Sequence, residues 1–370
     1  DWHRGAWYGR GTQSGESTPM RIEAEALRRT VARIFAAAGC AAEEADCVAG
    51  HLVDSNLCGH DSHGVIRVSR YLGYMREDKI RPGGRATVVF ESDTVVVIDG
   101  NMGFGQVIGE QAMDLLAPKA RKSGLAMTAI RNSGHLGRLG GWAERLARDG
   151  LVSLHFVNTT GTGMWVAPFG GTDRRLSVNP LSICVPVDGR HPILLDMSST
   201  VVAEGKVALA RNKGVPLPPG AIIDKAGNPS TDPNDLYAGG ALLTIAEHKG
   251  HGLNIMIDLL AGALSGGGCT APGATRLINT MTSIAVDPAP FTDRDAYLAE
   301  IKRYAEWVTG SPPRQADGRV LLPGDFEHET RRERGRNGIP LDQATWDQIV
   351  DSAALVGLNR EDVERCVAEG

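Results

Sequence analysis

No stretch of this 370-residue sequence approaches the roughly 18 consecutive apolar residues of a membrane-spanning helix. No block of lysine and arginine stands out either, and the formal net charge is only −5. A basic surface for nucleic acid or for a membrane is therefore not indicated. We expect neither nucleic acid nor a membrane among the partners of this chain.

Paired cysteines are also lacking. The six cysteines are scattered along the chain, and no CxxC motif is present. In a chain of this length, that pattern is typical of reduced thiols rather than of a disulfide framework. We therefore predict a cytoplasmic protein.

Aromatic residues make up only 5% of the sequence, whereas glycine is abundant, with 46 residues. That combination favours an α/β enzyme with many tight turns. Residues 1–19 have no apolar core of a signal peptide, so we interpret them as a leader or an expression remnant, with Met20 as the candidate start.

The length and the change of pattern after Pro82 predict three further parts. Residues 20–85 are expected to form a helical N-terminal region for substrate binding or dimerisation. Residues 86–290 are expected to form an α/β cofactor-binding domain. Residues 291–370 are expected to form a helical C-terminal region that packs back on the N-terminal region.

Apolar residues at helical spacing predict a helix over 21–39. Eight further helices are predicted over 43–56, 66–75, 106–123, 141–149, 252–264, 293–309, 325–337 and 342–355. Short β-branched or apolar runs predict seven strands, over 86–91, 94–99, 125–131, 151–158, 181–187, 193–196 and 282–286. Segment 214–235 is rich in Pro, Gly, Asn and Asp, and is predicted to be a long loop. Strands that alternate with helices predict an α/β fold.

Residues 59–67 (GHDSHGVIR) concentrate two imidazoles, a carboxylate, a hydroxyl and a guanidinium. His63 is a candidate general acid or base, and Arg67 would share its face if a helix begins here. An arginine can bind a carboxylate through two parallel hydrogen bonds. The alternative is a polar helix N-terminus capped by Asp61 or Ser62, and the residues alone leave both open.

Residues 133–141 (SGHLGRLGG) follow a predicted strand and precede a predicted helix. Ligand sites in open α/β sheets favour the C-terminal ends of strands. His135 is therefore a second candidate for acid/base chemistry. The alternative is a glycine-rich turn with an incidental histidine.

Residues 100–109 (GNMGFGQVIG) invite comparison with a dinucleotide-binding loop. The spacing, however, is GxGxxxG, and the next strand ends at Arg131 rather than at an acidic residue. The dinucleotide fingerprint is imperfect. We predict instead a turn whose glycines serve packing.

Two further segments combine apolar and polar residues. In LLDMSST, Asp196 could orient a histidine by hydrogen bonding, and the backbone of its neighbours could contact a cofactor phosphate or ribose. The alternative is that Asp196 simply caps a helix. In EHKGHG, Lys249 could reach a phosphate or a nicotinamide ribose, although a lone lysine is more often solvated. The paired histidines of GHDSHG and HKGH do not have zinc-site spacing, so no metal site is predicted.

Together these segments resemble the second type of malate/L-lactate dehydrogenase, also called the sulfolactate dehydrogenase-like family. The matching segments are DSHGVIR, SGHLGRLGGWAE, Asn179-Pro180, LLDMSST with Gly205-Lys206, GNPSTDP, HKGHGL, DLLAGALSGG and LLPGDFEHETRRERGRNGIPLD. They span nearly everything from residue 21 onward. The segments HDSHG, WVAPFGGTD, KGVPLPPG and AEHKG are similar to the hydroxycarboxylate dehydrogenase branch of that family.

The resemblance implies an unusual nicotinamide-binding α/β fold, with a mixed sheet in place of a Rossmann domain and helical N- and C-terminal regions. It implies an oxidoreductase that transfers a hydride between NAD or NADP and C2 of a small 2-hydroxy or 2-oxo acid. It also implies a homodimer, with each active site near the subunit interface.

The resemblance further implies residue roles. One branch of the family points to His63 with Ser62 and Asp196 for proton transfer, and another points to His135, which we prefer. Arg67 would hold the substrate carboxylate, with Thr160 also at the substrate. The implied cofactor contacts are Thr159, Asn179, Pro180, Asp196, Met197, Ser198, Lys249 and Gly324.

The sequence departs from the family pattern in two places, with SVNP where many members have GTNP and His251 where many have tyrosine. These departures leave the choice between NAD and NADP open. The alternative functions are a reductase of a cyclic imino acid such as Δ1-piperideine-2-carboxylate, a metal-dependent lyase or hydrolase, and a catalytically silent ligand-binding relative. The intact set of His63, Arg67, His135 and Asp196 argues against the last.

Overall fold

The computed structural model describes residues 20–368, apart from the side chains of residues 162, 212 and 213. The segment 1–19, interpreted above as a leader or remnant, lies outside the described residues. Within 20–368 there are twelve α-helices: α1 (Ala24–Ala37), α2 (Ala42–Leu57), α3 (Arg67–Arg76), α4 (Gly105–Ser123), α5 (Gly140–Arg148), α6 (Glu204–Lys213), α7 (Pro233–Tyr237), α8 (His248–Asp258), α9 (Arg294–Thr309), α10 (Asp325–Asn337), α11 (Gln343–Ala354) and α12 (Arg360–Ala368).

The same span contains fourteen strands: β1 (Met20–Ile22), β2 (Thr87–Glu91), β3 (Val95–Asp99), β4 (Leu125–Ser133), β5 (Val152–Thr159), β6 (Met164–Val166), β7 (Leu176–Ser177), β8 (Pro180–Val185), β9 (Ile193–Ser198), β10 (Ile222–Ile223), β11 (Pro229–Ser230), β12 (Ala241–Leu242), β13 (Asn279–Val286) and β14 (Ile339–Leu341). All nine predicted helices and all seven predicted strands form, with ends that differ by a few residues. The predicted helix over 252–264 begins earlier, at His248, and continues past α8 as a π-helix, Leu259–Ala263.

Seven strands form the main sheet, in the order β2-β3-β4-β13-β5-β8-β9. Only the β3–β4 pair is parallel, and every other neighbouring pair in this sheet is antiparallel. A Rossmann domain instead has a mostly parallel sheet. The predicted mixed-sheet, non-Rossmann α/β fold is therefore confirmed.

The glycines of segment 100–109 lie where backbones and rings approach closely. A Cβ on Gly103 would lie 2.5 Å from the carbonyl oxygen of Gly84, and one on Gly105 would lie 2.2 Å from that of His135. A Cβ on Gly109 would lie 2.5 Å from the ring of Trp142. These glycines serve packing, as predicted, and Gly105 brings the start of α4 against the turn that carries His135.

Segment 214–235 is not the long structureless loop that its composition predicted. It contains β10, β11 and most of α7, and the two strands belong to a second sheet with the order β11-β10-β12-β6-β7. Strands of two or three residues are too short to show an alternating pattern, so the pattern of turn residues dominated the prediction. The helix α6 was also missed.

The two ends of the described chain share one hydrophobic core. Leu27, Leu52 and Tyr71 of the N-terminal helices pack in the same cluster as Ile339 and Trp346. Strand β1 pairs with β14, which ties the ends together through the backbone as well. We retain the division into 20–85, 86–290 and 291–370 as a proposal, in which the first and last parts form a single helical layer.

No helix within residues 20–368 is both long enough and apolar enough to cross a membrane.

Candidate active site

One edge of the main sheet collects most of the segments singled out from the sequence. Strand β13 is antiparallel to both β4 and β5, so its first residue, Asn279, pairs with Ser133 on one side and with Thr159 on the other. Strands β8 and β9 continue the alternation, and Pro180 pairs with Ser198. We call the edge formed by these five residues the site edge.

His135 lies just beyond the end of β4, in the turn above the site edge. Its Nδ1 atom is 2.7 Å from the Tyr71 hydroxyl and 3.3 Å from the Gly137 backbone nitrogen. Burial, reinforced by the positive charge of Arg67, lowers the pKa of His135 to about 3. The ring is therefore neutral near pH 7.

Asn279 fixes this turn to the neighbouring strand. Its Oδ1 atom accepts a hydrogen bond from the Leu136 N–H at 2.9 Å, and its Nδ2 atom donates to Thr159 Oγ1, also at 2.9 Å. Thr160, the next residue, donates from its hydroxyl to the Ile278 carbonyl at 3.4 Å. Thr159 and Thr160 are thus held close to the His135 turn.

His63 comes from the turn between α2 and α3, yet its ring stacks on that of His135. The ring centroids are 5.6 Å apart and the planes differ by 24°. The Nδ1 atom of His63 lies 3.0 Å from Ser62 Oγ. Burial and the Arg67 charge hold the pKa of His63 well below its ordinary value.

The turn that carries His63 is held by α2 and α10. Asn56 accepts from the Val65 N–H at 2.8 Å and donates to Asp61 at 2.7 Å, and Arg334 forms an ion pair with Asp61. Neither Asp61 nor Ser62 caps α3, because the first residues of that helix have no side-chain cap. Asp61 thus supports the turn instead of capping a helix.

Arg67 begins α3 beside both histidines. Its Nε atom donates to the Ser62 carbonyl at 2.6 Å. Its two terminal nitrogens have no hydrogen-bond or ion-pair partner within residues 20–368. A half-buried guanidinium with a free fork is suited to bind a carboxylate.

The β8–β9 pair brings together four of the residues expected at the cofactor. Pro180 lies opposite Ser198 and Leu181 opposite Met197, and Asn179 directly precedes this pair. Asn179 is fully buried, and its Nδ2 atom donates to Asn254 Oδ1 at 2.9 Å. Its Oδ1 atom has no partner among the described residues. A buried, unpaired carbonyl oxygen is costly and suits a site that receives an N–H from a ligand.

Lys249 lies in the first turn of α8, the helix that carries Asn254. Its side chain is exposed and has no ion-pair or hydrogen-bond partner among residues 20–368. The two residues before α8, Ala246 and Glu247, have φ of 45° and 53°, in the left-handed region that costs energy for non-glycine residues. Such strain is characteristic of functional loops.

Asp196 does not orient a histidine. Its Oδ2 atom accepts from the Gly140 N–H at 2.8 Å, at the start of α5, and within the described chain neither His63 nor His135 hydrogen-bonds it. Burial raises the pKa of this carboxyl. The sequence also allowed Asp196 to cap a helix that begins nearby in the chain, but the helix that it contacts begins 56 residues earlier.

Gly324 lies away from the site edge, at the other end of β9. The Leu194 N–H donates to the Pro323 carbonyl at 3.0 Å, and a Cβ on Gly324 would lie 3.1 Å from that of Leu194. Ser198 lies four positions after Leu194 along the strand, which corresponds to roughly 13 Å. Gly324 and Ser198 could therefore contact only different parts of one extended ligand.

A candidate metal cluster is neutralised by arginine. Among the described residues, Asp54, Cys58 and Glu144 are close enough together to hold an ion. Arg138, only 1% exposed, lies 2.9 Å from Asp54 and 2.5 Å from Glu144, and Arg331 pairs with the same two carboxylates. These guanidinium groups supply the positive charge that a cation would bring.

Sequence reasoning missed several residues that shape the site, chiefly Tyr71, Gln106, Asn254 and Asn279. Tyr71 follows Arg67 by one helical turn, so helical spacing offered a signal for it. Asn279 and Asn254 have no local motif around them. Their importance depends on strand pairing and helix packing between distant segments.

The comparisons with known proteins agree with this geometry. The model of the malate/L-lactate dehydrogenase family matches residues 22–350. Hydroxycarboxylate dehydrogenase B from Escherichia coli (strain K12) is 41% identical over 353 residues, which cover 93% of this chain and 96% of that protein. L-lactate dehydrogenase from Cupriavidus necator is 35% identical over 336 residues, covering 89% and 96%.

The fold is also similar to that of a solved structure. Sulfolactate dehydrogenase from Methanocaldococcus jannaschii superposes with a TM-score of 0.84 at 29% identity, over 93% of this chain and 99% of that chain.

Proposed function

Because this chain belongs to the malate/L-lactate dehydrogenase family, we propose that it is a nicotinamide-dependent 2-hydroxycarboxylate dehydrogenase. Its substrates would be small 2-hydroxy acids and the corresponding 2-oxo acids of the malate, lactate and hydroxycarboxylate type. The observation that carries this proposal is the stacked pair of neutral imidazoles beside the free guanidinium fork of Arg67. When bound, the nicotinamide supplies the hydride to C2 in reduction and accepts it in oxidation.

The residues at the site edge fit such a cofactor. The unpaired Oδ1 atom of buried Asn179 can accept from a carboxamide N–H, and the unpaired Lys249 side chain can meet a phosphate or ribose. Thr159, the 196–198 segment with Pro180, and Gly324 would complete the set of contacts. The separation of Gly324 from Ser198 along β9 suits a dinucleotide, which is an extended molecule.

Arg67 binds the substrate carboxylate in this proposal. Its Nε–H is already committed to the Ser62 carbonyl, which fixes the plane of the guanidinium and leaves the terminal nitrogens for the ligand. A fixed carboxylate orients C2 and its oxygen toward the histidines, and such orientation lowers the barrier substantially. Thr160 is proposed at the substrate on the same side.

His135 is the proposed acid/base. Its Nδ1 atom has two hydrogen-bond partners, so the ring is held in place, and Nε2 has none among the described residues. In reduction the imidazole gives a proton to the C2 oxygen, and in oxidation it takes the proton back. His63 is the second candidate, and Ser62 is the one hydrogen-bond partner of its Nδ1 in the described part of the chain. Asp196 acts at a distance by anchoring the start of α5.

A homodimer is proposed as the functional form. Helix α9 has only Ala305 buried, while Trp307 on it is 73% exposed. Met256, Leu259 and Leu264 are also exposed on and after α8, the helix proposed to carry a cofactor contact. Exposed apolar side chains of this size favour a covering partner. Light scattering should give twice the chain mass, and Trp307→Glu should shift the protein toward monomer if α9 lies in the interface.

A cytoplasmic location is proposed from the cysteines. All six are unpaired, and burial raises the pKa of the Cys40, Cys47, Cys58 and Cys184 thiols to about 12. Fractionation of the source cells would test the location.

The decisive experiment follows the absorbance of reduced nicotinamide with NADH and NADPH separately. The panel contains 2-oxo acids of increasing size and one cyclic imino acid, with metal chelator in a parallel series. Oxidation of NADH or NADPH by an oxo acid in the presence of chelator supports the proposal and identifies the cofactor. Oxidation by the imino acid alone would assign the chain to the reductase alternative, and turnover that requires metal but no nicotinamide would assign it to the lyase alternative.

A further inference from the structure

A buried hydrogen-bonded chain leads from helix α4 to His135. Gln106 is fully buried near the start of α4, and its Nε2 atom lies 3.0 Å from the Tyr71 hydroxyl. Tyr71, 1% exposed on α3, lies 2.7 Å from His135 Nδ1. Neither Tyr71 nor Gln106 belongs to the set of residues proposed to contact substrate or cofactor.

The donors and acceptors of this chain have one consistent direction. The Gly137 backbone N–H can only donate, so the Nδ1 atom of His135 that it faces must be an acceptor. The Gln106 amide N–H donates to the Tyr71 oxygen, which leaves the Tyr71 O–H to donate to the same Nδ1. A neutral imidazole that accepts at Nδ1 carries its hydrogen on Nε2.

Within residues 20–368, the Gln106 side chain makes no other hydrogen bond. Its Oε1 atom is buried and has no partner among the described residues. An apolar side chain would fill this place without leaving an unpaired oxygen, so packing alone does not account for the amide. The contact with Tyr71 is what Gln106 contributes.

We infer that Tyr71 and Gln106 are positioning residues that hold His135 in the Nε2–H tautomer, with Nε2 directed at the C2 oxygen of the substrate. The inference rests on the acid/base role proposed for His135. Backbone geometry supports it, because Gly137 has a φ of +72° and a Cβ there would lie 2.5 Å from His51 Nε2. The Gly137 N–H is thereby held toward the imidazole.

The hydrogen bonds between Gln106, Tyr71 and His135 also provide a proton to the ring when His135 gives one away. When the Nε2–H bond breaks and the C2 alkoxide gains that proton, the ring must gain a proton at Nδ1 to avoid becoming an imidazolate. The Tyr71 hydroxyl is already hydrogen-bonded there and gives its proton to Nδ1. The Gln106 N–H, which already donates to this oxygen, stabilises the phenolate. After product leaves, Nε2 takes a proton from solvent in the emptied site and Nδ1 returns its proton to the Tyr71 oxygen, which restores the Nε2–H tautomer.

Nitrogen NMR of the enzyme labelled with ¹⁵N-histidine tests the tautomer directly and without turnover. Protonated and bare ring nitrogens have well-separated shifts, and His135→Gln identifies the His135 signals. We expect a bare Nδ1 and a protonated Nε2 in the wild type. A protonated Nδ1 in the wild type would overturn the inference, even if the enzyme reduces oxo acids as proposed.

Tyr71→Phe, with Tyr74→Phe on the same helix as the matched control, tests the role of the hydroxyl. We expect Tyr71→Phe to populate both tautomers and to lower kcat roughly 10- to 100-fold with KM for the oxo acid nearly unchanged. Gln106→Leu keeps the hydroxyl and should give a smaller change of the same kind. If Tyr71→Phe kept the same tautomer and the same kcat as the wild type, the inference would be contradicted. If the wild-type enzyme had the expected tautomer but did not reduce oxo acids, only the proposed function would be contradicted.

Discussion

The ring of His63 stacks on the ring of His135, with centroids 5.6 Å apart, although one ring comes from a helical turn and the other from the end of a strand. Burial lowers the pKa of both rings, and the nearby positive charge of Arg67 lowers it further. A substrate carboxylate at Arg67 would offset that charge and make both rings easier to protonate. Substrate binding and proton transfer are therefore expected to be coupled through Arg67.

Removal of the acid/base should reduce turnover far more than binding. We expect His135→Ala to lower kcat roughly 10²- to 10⁴-fold, because the C2 oxygen loses its proton donor. His63→Ala should have a smaller effect, and His60→Gln, which alters a neighbouring histidine outside the stacked pair, should have little. Steady-state kinetics at saturating cofactor measure this. Near-normal turnover in both His135→Ala and His63→Ala would mean that the acid/base is neither ring.

Loss of the guanidinium at Arg67 should act mainly on the substrate. We expect Arg67→Met to raise KM for 2-oxo acids roughly 100-fold, since a charged hydrogen-bonded contact worth about 3 kcal/mol is lost. Arg70→Met, on the exposed face of the same helix, is the control and should leave KM within a few fold. If KM were unchanged in Arg67→Met, Arg67 would not bind the carboxylate.

Replacement of Lys249 should weaken the binding of the cofactor rather than the binding of the substrate. We expect Lys249→Met to raise the Kd for NADH or NADPH roughly tenfold, which corresponds to about 1.4 kcal/mol. Lys302→Met on α9 is the matched control. Titration of reduced-nicotinamide fluorescence measures both. Equal affinity in the two variants would place Lys249 outside the cofactor site.

The buried arginine network predicts a stability effect. Arg138→Met leaves Asp54 and Glu144 with only Arg331 for neutralisation, and should lower the free energy of unfolding by about 3–5 kcal/mol. Arg303→Met breaks an exposed pair with Glu300 and should leave the free energy of unfolding nearly unchanged. Urea denaturation of both variants measures their free energies of unfolding. A similar loss of stability in the two variants would argue against a structural role of the network.

Acid should destabilise the fold through its buried histidines. Burial lowers the pKa of His155 to about 3, below the ordinary value of 6.5, while hydrogen bonds from or to Ser153 and Ser283 hold the ring. Between these two values the unfolded chain binds a proton that the native state excludes. The free energy of unfolding therefore falls as pH decreases from about 6.5, by at most about 1.4 kcal/mol per pH unit for each such group.

Denaturation of the wild type and of His155→Gln at pH 5, 6 and 7 checks this slope. The variant should be less stable at pH 7 but lose less stability per pH unit, because one excluded proton is removed. Identical slopes would show that His155 is not buried in its neutral form.

Much of the fold was accessible from local sequence pattern. Helices such as α1 and α11 have enough turns for apolar spacing and for capping residues such as Gly39 to define them. Strands such as β5 and β13 have enough β-branched and apolar residues to be recognised. The strands that were missed, β1, β6, β7, β10 to β12 and β14, are two or three residues long, and no period can be read over so few positions. The helices α6, α7 and α12 were missed as well.

The sequence by itself determined the residue types of the site, the main helices and strands, and the family to which the chain belongs. These depend on neighbours along the chain and on the order of short motifs. Only the tertiary structure decided which groups meet. Asn279 bridges two strands because β13 pairs with both, Asp196 reaches a helix that begins at Gly140, and the Tyr71–Gln106 pair reaches His135. Such contacts depend on strand register and helix packing between distant segments, and neither is encoded in the local pattern around any one of these residues.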